Sequence, residues 1–113
     1  ATVNLVAVAP FLMMKAAAMG RGKPKDAYDI FFVIKNYPGG IKQLAEEFAP
    51  FRERTLVKEG LQKLADKFAS VKHAGPADVA DFLEQDADSE EKDRIKRDVY
   101  ECVSRFLKYV WEK

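Results

Sequence analysis

The chain has 113 residues, of which 48% are hydrophobic and 33% are charged, and its formal net charge is +1. This composition predicts one compact soluble domain, and so small a net charge gives no support for coating nucleic acid through bulk positive charge. No apolar run approaches the ~20 residues needed to span a bilayer, and residues 1–22 lack the pattern of a signal peptide. We therefore expect a cytoplasmic protein with no membrane partner.

The first predicted element is a short strand. Residues Val3 to Val8 form an apolar run with β-branched residues at both ends, although no partner strand is predicted elsewhere. Pro10 suits the first turn of a helix over residues 11–19, where its missing N–H is harmless, and Gly20 ends that helix. A second helix is predicted over residues 26–36. The short loop over residues 20–25 predicts that the two helices form an antiparallel hairpin.

The rest of the chain, residues 40–113, is predicted to be a helical tail that packs behind residues 1–37 in one domain. The full prediction is a mainly α fold, a bundle of five or six helices preceded by the short strand. Asp88, with Glu91 three residues later, predicts the cap of the last helix, in which Cys102 is expected to be a buried thiol. Six aromatic side chains on helical faces are expected in the core: Phe31, Phe32, Phe48, Phe68, Phe82 and Phe106.

Charged residues interrupt the apolar pattern of the predicted hairpin. Lys15 and Asp29 each occupy a position where periodicity favours a core residue, and an unpaired charge in a core costs about 3 to 5 kcal/mol. Four cations come first and two carboxylates follow: Lys15, Arg21, Lys23 and Lys25, then Asp26 and Asp29. This composition is suited to holding a polyphosphate beside a divalent metal ion.

This segment resembles the C-terminal half of the abortive-infection (AbiEii-type) nucleotidyltransferase toxins. In that family a strand leads into a Lys-x-x-Ala helix, and an Arg-x-x-x-(Lys/Arg)-Asp-x-x-Asp-(Leu/Ile) segment follows. The specific match lies within residues 5–30, and the later residues match only as an amphipathic helical tail. The matching residues are the run 5–8 before Pro10, Lys15 with Ala18, Arg21 with Lys25 and Asp26, and Asp29 with Ile30.

The resemblance implies transfer of a nucleoside monophosphate. An acceptor hydroxyl, on RNA or protein, would attack the α-phosphate of a nucleoside triphosphate, and pyrophosphate would leave. Lys15, Arg21 and Lys25 would bind the nucleotide. Asp29, with Asp26, would orient or deprotonate the hydroxyl or bind metal. Mg²⁺ and a nucleoside triphosphate are the cofactors expected for the intact protein, and a type IV antitoxin is an implied partner.

One part of the family pattern has no match in this sequence. Members carry, upstream, a Gly-Ser or Gly-Gly turn followed by an Asp-x-Asp strand that binds Mg²⁺. Asp86-Ala87-Asp88 lies in a polar acidic segment without β-forming neighbours and is interpreted as a turn and cap. We therefore expect a C-terminal portion of a nucleotidyltransferase-like α/β protein that carries half of a site, is inactive alone and requires no cofactor by itself.

Other interpretations stay open for each residue. Lys15 could snorkel from a helix surface or pair structurally with Asp29, and Asp26 could simply favour a helix N-terminus. His73 has no second metal ligand nearby, so a structural or solvated role is favoured. The alternative functions are a non-catalytic helical module that docks an acidic partner or RNA, and a dimerisation domain that uses the face bearing Trp111.

Overall fold

The computed structural model describes residues 5–18, 24–83 and 88–111, with side chains described from Val8 onward. Within these ranges the chain forms six α-helices and a short 3-10 turn at Ala49–Phe51. The mainly α prediction is therefore confirmed. The helices are α1 (Leu5–Ala18), α2 (Pro24–Asn36), α3 (Ile41–Phe48), α4 (Thr55–Lys67), α5 (Ala74–Leu83) and α6 (Ser89–Trp111).

The predicted N-terminal strand is wrong over the part that the structure describes. Helix α1 already begins at Leu5 and continues through Pro10, which lies inside it rather than in its first turn. A lone strand leaves its backbone N–H and C=O groups unpaired, whereas a helix satisfies them locally, and leucine and alanine favour the helix. Residues 3 and 4 lie outside the described residues. No strand occurs in the described ranges, and the α/β origin stays a prediction.

Helices α1 and α2 form the predicted antiparallel hairpin. At one end, Val8 and Phe11 of α1 line a cleft together with Val33 and Tyr37 near the end of α2. At the other end, Lys15 contacts the first turns of α2 through its ammonium group. The start of each helix therefore lies beside the end of the other.

One cluster of buried apolar side chains draws members from all six helices. Phe48 of α3 and Phe106 of α6 meet edge to face at its centre, with ring centroids 5.4 Å apart. The radius of gyration is 13.4 Å, close to the ~13 Å expected of a compact chain of this length. Burial of each large side chain contributes roughly 1.5 to 3 kcal/mol. Fully buried members include Leu12, Ile30, Ile34, Leu44, Leu61, Leu64, Val79, Val99 and Val103.

Glycines have identifiable roles in the turn between α2 and α3 and in α4. Gly39 and Gly40 adopt φ values of 90° and 94°, which the turn between α2 and α3 requires and which side chains rarely allow. The N–H of Gly40 donates to the Tyr37 carbonyl at 2.8 Å, which closes the turn. In α4, Gly60 lies under α1, where an added Cβ would overlap the sulfur of Met13. A side chain at position 60 would therefore require the Met13 side chain to move.

Helix α6 begins as the sequence predicts. The Asp88 carboxylate accepts the N–H of Glu91 at 2.9 Å and so caps the helix. Cys102 lies in its buried stripe, and burial, followed by the nearby Asp98 charge, raises the pKa of the Cys102 thiol to about 11. The predicted buried thiol is confirmed. None of the described helices is long and apolar enough to cross a membrane.

Some side chains on predicted core faces are exposed instead. Phe32 and Phe82 are 51% and 43% exposed, so their assignment to the core was wrong, whereas the other four phenylalanines are buried. Leu56 of α4 and Leu83 of α5 are exposed as well. The apolar sectors of α2, α4 and α5 are wider than the neighbouring helices cover, and periodicity does not specify which part is covered.

Candidate functional site

Four charged side chains meet at one end of the α1–α2 hairpin. The Lys15 ammonium lies 3.0 Å from Asp26 Oδ1 and 3.0 Å from Asp29 Oδ2. The Lys25 ammonium lies 3.1 Å from the same Asp29 oxygen. We call Lys15, Lys25, Asp26 and Asp29 the hairpin cluster. The predicted convergence of Lys15 and Asp29 is confirmed, and Asp26 is a second partner of the same lysine.

Local helix geometry explains why these side chains meet. Lys15 lies in the last turn of α1 and Asp26 in the first turn of α2, each at the end where the helix dipole favours its charge. Asp26 and Asp29 are three residues apart and therefore share a face of α2. Lys25 and Asp29 form an i,i+4 pair along the same helix. The hairpin then brings the two carboxylates against Lys15.

The hairpin cluster is partly withdrawn from water. Asp26 is only 8% exposed, and the side chains of Lys15 and Asp29 are 19% and 16% exposed. Hydrogen bonds with Asp26 and then Asp29 raise the pKa of Lys15. Partial burial alone would raise the pKa of the Asp29 carboxyl, but hydrogen bonds from Lys15 and Lys25 outweigh it and lower that pKa. Both groups therefore stay charged across the neutral range.

The hairpin cluster has a limited capacity for further ligands. A lysine ammonium has three N–H donors, and the two carboxylates accept from Lys15 at 3.0 Å each. One donor is left for another acceptor, such as a phosphate oxygen. Lys15 also lies 5.6 Å from the centre of the Phe11 ring, which stabilises its charge. Lys25 is largely exposed, so its ammonium is accessible to an anion.

The two carboxylates do not by themselves form a Mg²⁺ site. Mg²⁺ requires near-octahedral oxygen coordination, whereas both Asp26 and Asp29 already accept from ammonium groups. Among the described residues, no group of three or more His, Cys, Asp or Glu side chains could hold a metal ion. We therefore derive no chemical step through a metal ion. Arg21, the remaining predicted nucleotide-binding residue, lies outside the described residues.

The structure gives local roles to two other residues considered in the sequence. His73 immediately precedes α5 and its carbonyl accepts the Ala77 N–H at 3.2 Å. Its ring nitrogen Nδ1 lies 2.7 Å from the Ser70 hydroxyl oxygen. Trp111 packs against the Arg52 guanidinium, 5.8 Å from the ring centre. The contacts of His73 fit a structural role. The contact with Arg52 partly covers Trp111.

Sequence reasoning missed a group of aromatic rings at the surface, which we call the aromatic cluster: the exposed Phe32 and Phe82 and the half-buried Tyr28. The rings of Tyr28 and Phe82 are stacked, with centroids 4.9 Å apart. Those of Tyr28 and Phe32 are tilted and 5.9 Å apart. The sequence does contain an indication of this cluster, because the spacing of Lys25, Tyr28 and Phe32 places them in a single stripe along α2.

A second missed feature is an apolar surface on α1. Pro10, Met14 and Ala17 lie on the side of α1 next to α4, and Met14 is 60% exposed. These residues line a groove of about 470 Å³ against α4, together with Leu56 and Val57. We call this feature the α1–α4 groove. In the sequence, this groove is indicated by α1 itself, which contains no charged residue other than Lys15.

Comparison with known proteins does not place the chain in a family. No family model, no curated protein and no solved structure matches it.

Proposed function

We propose that this chain supplies the lysine and carboxylate part of a nucleotidyltransferase site. The observation that carries the proposal is Lys15, which holds both Asp26 and Asp29 at 3.0 Å in a partly buried position. The resemblance to the AbiEii-type toxins assigns functions to these same three residues. A pre-arranged ammonium and carboxylate pair is the kind of arrangement by which phosphoryl-transfer sites position their substrates.

The chemistry assigns a role to each side chain. Lys15, through its remaining donor, and Lys25 bind phosphate oxygens and neutralise the charge of the departing pyrophosphate. The acceptor hydroxyl attacks the α-phosphorus, its proton passes to solvent water, and the bond to pyrophosphate breaks. Because its pKa is lowered, Asp29 is a weak base and orients the hydroxyl by accepting its hydrogen bond. Asp26 is a positioning residue that holds Lys15.

The wider setting is part of the same proposal. Arg21 is assigned to the phosphates on the resemblance, and the acceptor is RNA or a protein. An antitoxin protein is the proposed regulatory partner. A cytoplasmic location fits, because nucleoside triphosphates are available there.

Nucleotide binding tests the proposal without requiring turnover. Nucleoside triphosphates are titrated into the chain while the signals of residues 24–36 are followed by NMR. We expect saturable changes in the chemical shifts of residues near Lys15 and Lys25. Lys25→Gln should weaken the affinity about ten-fold or more, because one charge-assisted contact contributes roughly 1.5 to 3 kcal/mol. Lys35→Gln is the matched control, since Lys35 is an exposed lysine of the same helix that pairs with Asp98.

Three outcomes contradict the proposal. The first is the absence of binding by any of the four common nucleoside triphosphates at millimolar concentration. The second is equal weakening by the Lys25 and Lys35 variants, which would indicate general charge attraction. The third is binding that shifts only signals remote from the hairpin cluster.

A second candidate function is self-association, which the α1–α4 groove favours. Leu56 projects beside the groove and is 77% exposed. Glu59 and Lys63 line the same groove and carry opposite charges. A surface that combines a projecting apolar side chain, a groove and both charge signs can pair with a second copy about a two-fold axis. This surface is less covered than the face of Trp111, which packs against Arg52.

Sedimentation equilibrium tests the second candidate. We expect a concentration-dependent dimer that Leu56→Ser disrupts, because the substitution removes the projecting side chain from the interface. Leu83→Ser is the control, since Leu83 is an exposed leucine on a different helix, α5. A chain that stays monomeric at high micromolar concentration contradicts this function, as does a dimer that both variants weaken equally.

A further inference from the structure

We infer that the aromatic cluster is a stacking platform for the base of the bound nucleoside triphosphate. This inference rests on the proposed function, since it names the second half of the same ligand. The hairpin cluster accounts for phosphates only. A nucleotide also presents a flat, apolar base, and nothing in the hairpin cluster is suited to bind it.

The platform lies next to the phosphate-binding lysine on the same helix. Lys25, Tyr28 and Phe32 follow one another at spacings of three and four residues and so form one stripe on α2. At a rise of about 1.5 Å per residue, Tyr28 lies roughly 4.5 Å and Phe32 roughly 10.5 Å along the axis from Lys25. A nucleoside triphosphate has a comparable separation between its phosphates and its base. A ligand held by Lys25 therefore reaches the rings.

The rings are arranged to receive another flat group. Phe82 of α5 stacks on Tyr28 with an interplanar angle of 30° and a centroid distance of 4.9 Å. The ring of Phe32 is tilted against that of Tyr28, with centroids 5.9 Å apart. The three rings join two helices into one surface, and Phe32 and Phe82 each leave about half of their area in water. Bases stack on such exposed aromatic side chains with little dependence on sequence.

The chemical complementarity points to a nucleotide rather than to a purely apolar partner. The stripe begins with a cation at Lys25 and continues with aromatic rings, which matches the order of phosphate and base in the ligand. Lys35 lies farther along α2, but its ammonium is paired with Asp98 at 3.0 Å and lies over the Phe31 ring. The Lys25 ammonium is also paired, with Asp29 at 3.1 Å, but the Lys25 side chain is the more exposed of the two, 66% against 49%. Lys25 also begins the stripe that carries Tyr28 and Phe32, so it is the better-placed cation for phosphate at the aromatic cluster.

The test compares ligands with and without a base. Calorimetric titration measures the affinities of inorganic tripolyphosphate and ATP for the chain, Phe32→Leu and Phe82→Leu. Both substitutions keep an apolar side chain at an exposed position, so folding should survive. Trp111→Leu is the control, because Trp111 is as exposed as Phe82 but contacts Arg52 of another segment.

We expect ATP to bind about ten-fold more tightly than tripolyphosphate, as one stacked base typically provides. Phe32→Leu should remove most of this advantage and leave tripolyphosphate affinity unchanged, while Trp111→Leu should change neither. The protons of the adenine ring should also shift upfield on binding, which a purely structural role of Phe32 would not produce.

Two results overturn the inference in different ways. If tripolyphosphate and ATP bind equally, or if Phe32→Leu lowers both affinities alike, the platform is wrong while phosphate binding by the hairpin cluster stands. If neither ligand binds the chain, the proposed function fails and the platform fails with it. Binding of an apolar peptide at the rings without any nucleotide effect would also overturn the inference.

Discussion

The two ends of α2 are attached to the rest of the molecule by polar contacts of the same length but different exposure. At the N-terminal end, Lys15 contacts Asp26 at 3.0 Å, and both side chains are largely covered. At the C-terminal end, Lys35 contacts Asp98 of α6 at 3.0 Å, but about half of each side chain is in water. Water and salt compete with the exposed pair and much less with the covered one. Distance alone therefore says little about how strongly a pair constrains the fold.

Removal of one carboxylate from each pair should reveal this difference most clearly. Asp26→Ala leaves Lys15 with Asp29 as its remaining carboxylate partner in a largely covered position, so we expect the free energy of unfolding to fall by clearly more than in Asp98→Ala. Asp98→Ala should lower it by less than about 1 kcal/mol, as for other exposed pairs. Urea unfolding followed by circular dichroism measures both. Equal losses in the two variants would contradict the comparison.

A smaller effect is expected from a buried hydrogen bond just beyond the C-terminal end of α2. Tyr37 is buried, and its hydroxyl is hydrogen-bonded to Glu47 of α3, whose Oε2 is buried with no partner of its own among the described residues. Tyr37→Phe removes the donor and should cost about 2 kcal/mol. Urea unfolding at pH 7 measures this loss, with Tyr28→Phe, at a half-buried tyrosine of α2, as control.

The same tyrosine provides an independent measurement. The hydrogen bond to Glu47, followed by burial, raises the pKa of Tyr37 to about 12. The ordinary value is 10.0, so the unfolded chain loses this proton first. The stabilisation is complete below pH 10 and is lost as the pH rises toward 12. Ultraviolet titration of the tyrosines should show one late-titrating group that Tyr37→Phe abolishes. Titration of all the tyrosines near pH 10 would contradict this prediction.

The smallest expected effect is a loss of stability at acid pH, which comes from the charged contacts at the N-terminal end of α2. The pKa of the Asp29 carboxyl is lowered from 3.8 in the folded chain, so the folded state binds its proton less readily than the unfolded state. The stabilisation is complete well above pH 3.8 and is lost as the pH falls through the folded value. Wild type and Asp29→Asn should therefore differ in unfolding free energy at pH 6, and the difference should shrink as the pH falls well below 3.8. A constant difference across this range would contradict the prediction.

The helices could be predicted from the sequence better than their ends. The predicted helix over residues 26–36 begins two residues earlier, at Pro24, because proline is well suited to the first helical position. The prediction of an N-terminal strand was wrong for a related reason. Pro10 was interpreted as the start of a helix, although it lies inside α1. A proline indicates where a helix can start, but burial of the segment before it can extend the helix.

The site could be predicted only where charge required a partner. Lys15 and Asp29 interrupt an apolar pattern, so a short hairpin had to bring them together, and the structure does. Exposure of Phe32 and Phe82 could not be predicted, because it depends on which part of α2 the other helices leave uncovered. A periodic pattern identifies an apolar face, but the extent of its coverage is a property of the assembled fold.

Pro10 has a consequence for how α1 opens. Its ring nitrogen carries no hydrogen, so the carbonyl at position 6 receives no bond from it, and the ladder of the helix is interrupted there. Residues 5–9 should therefore form a separate cooperative unit whose amides exchange with solvent earlier than those from Leu12 to Ala18. Mass-detected amide exchange can resolve the two segments. Sequence changes before Pro10, other than at the buried Val8, should then disturb the position of Lys15 little.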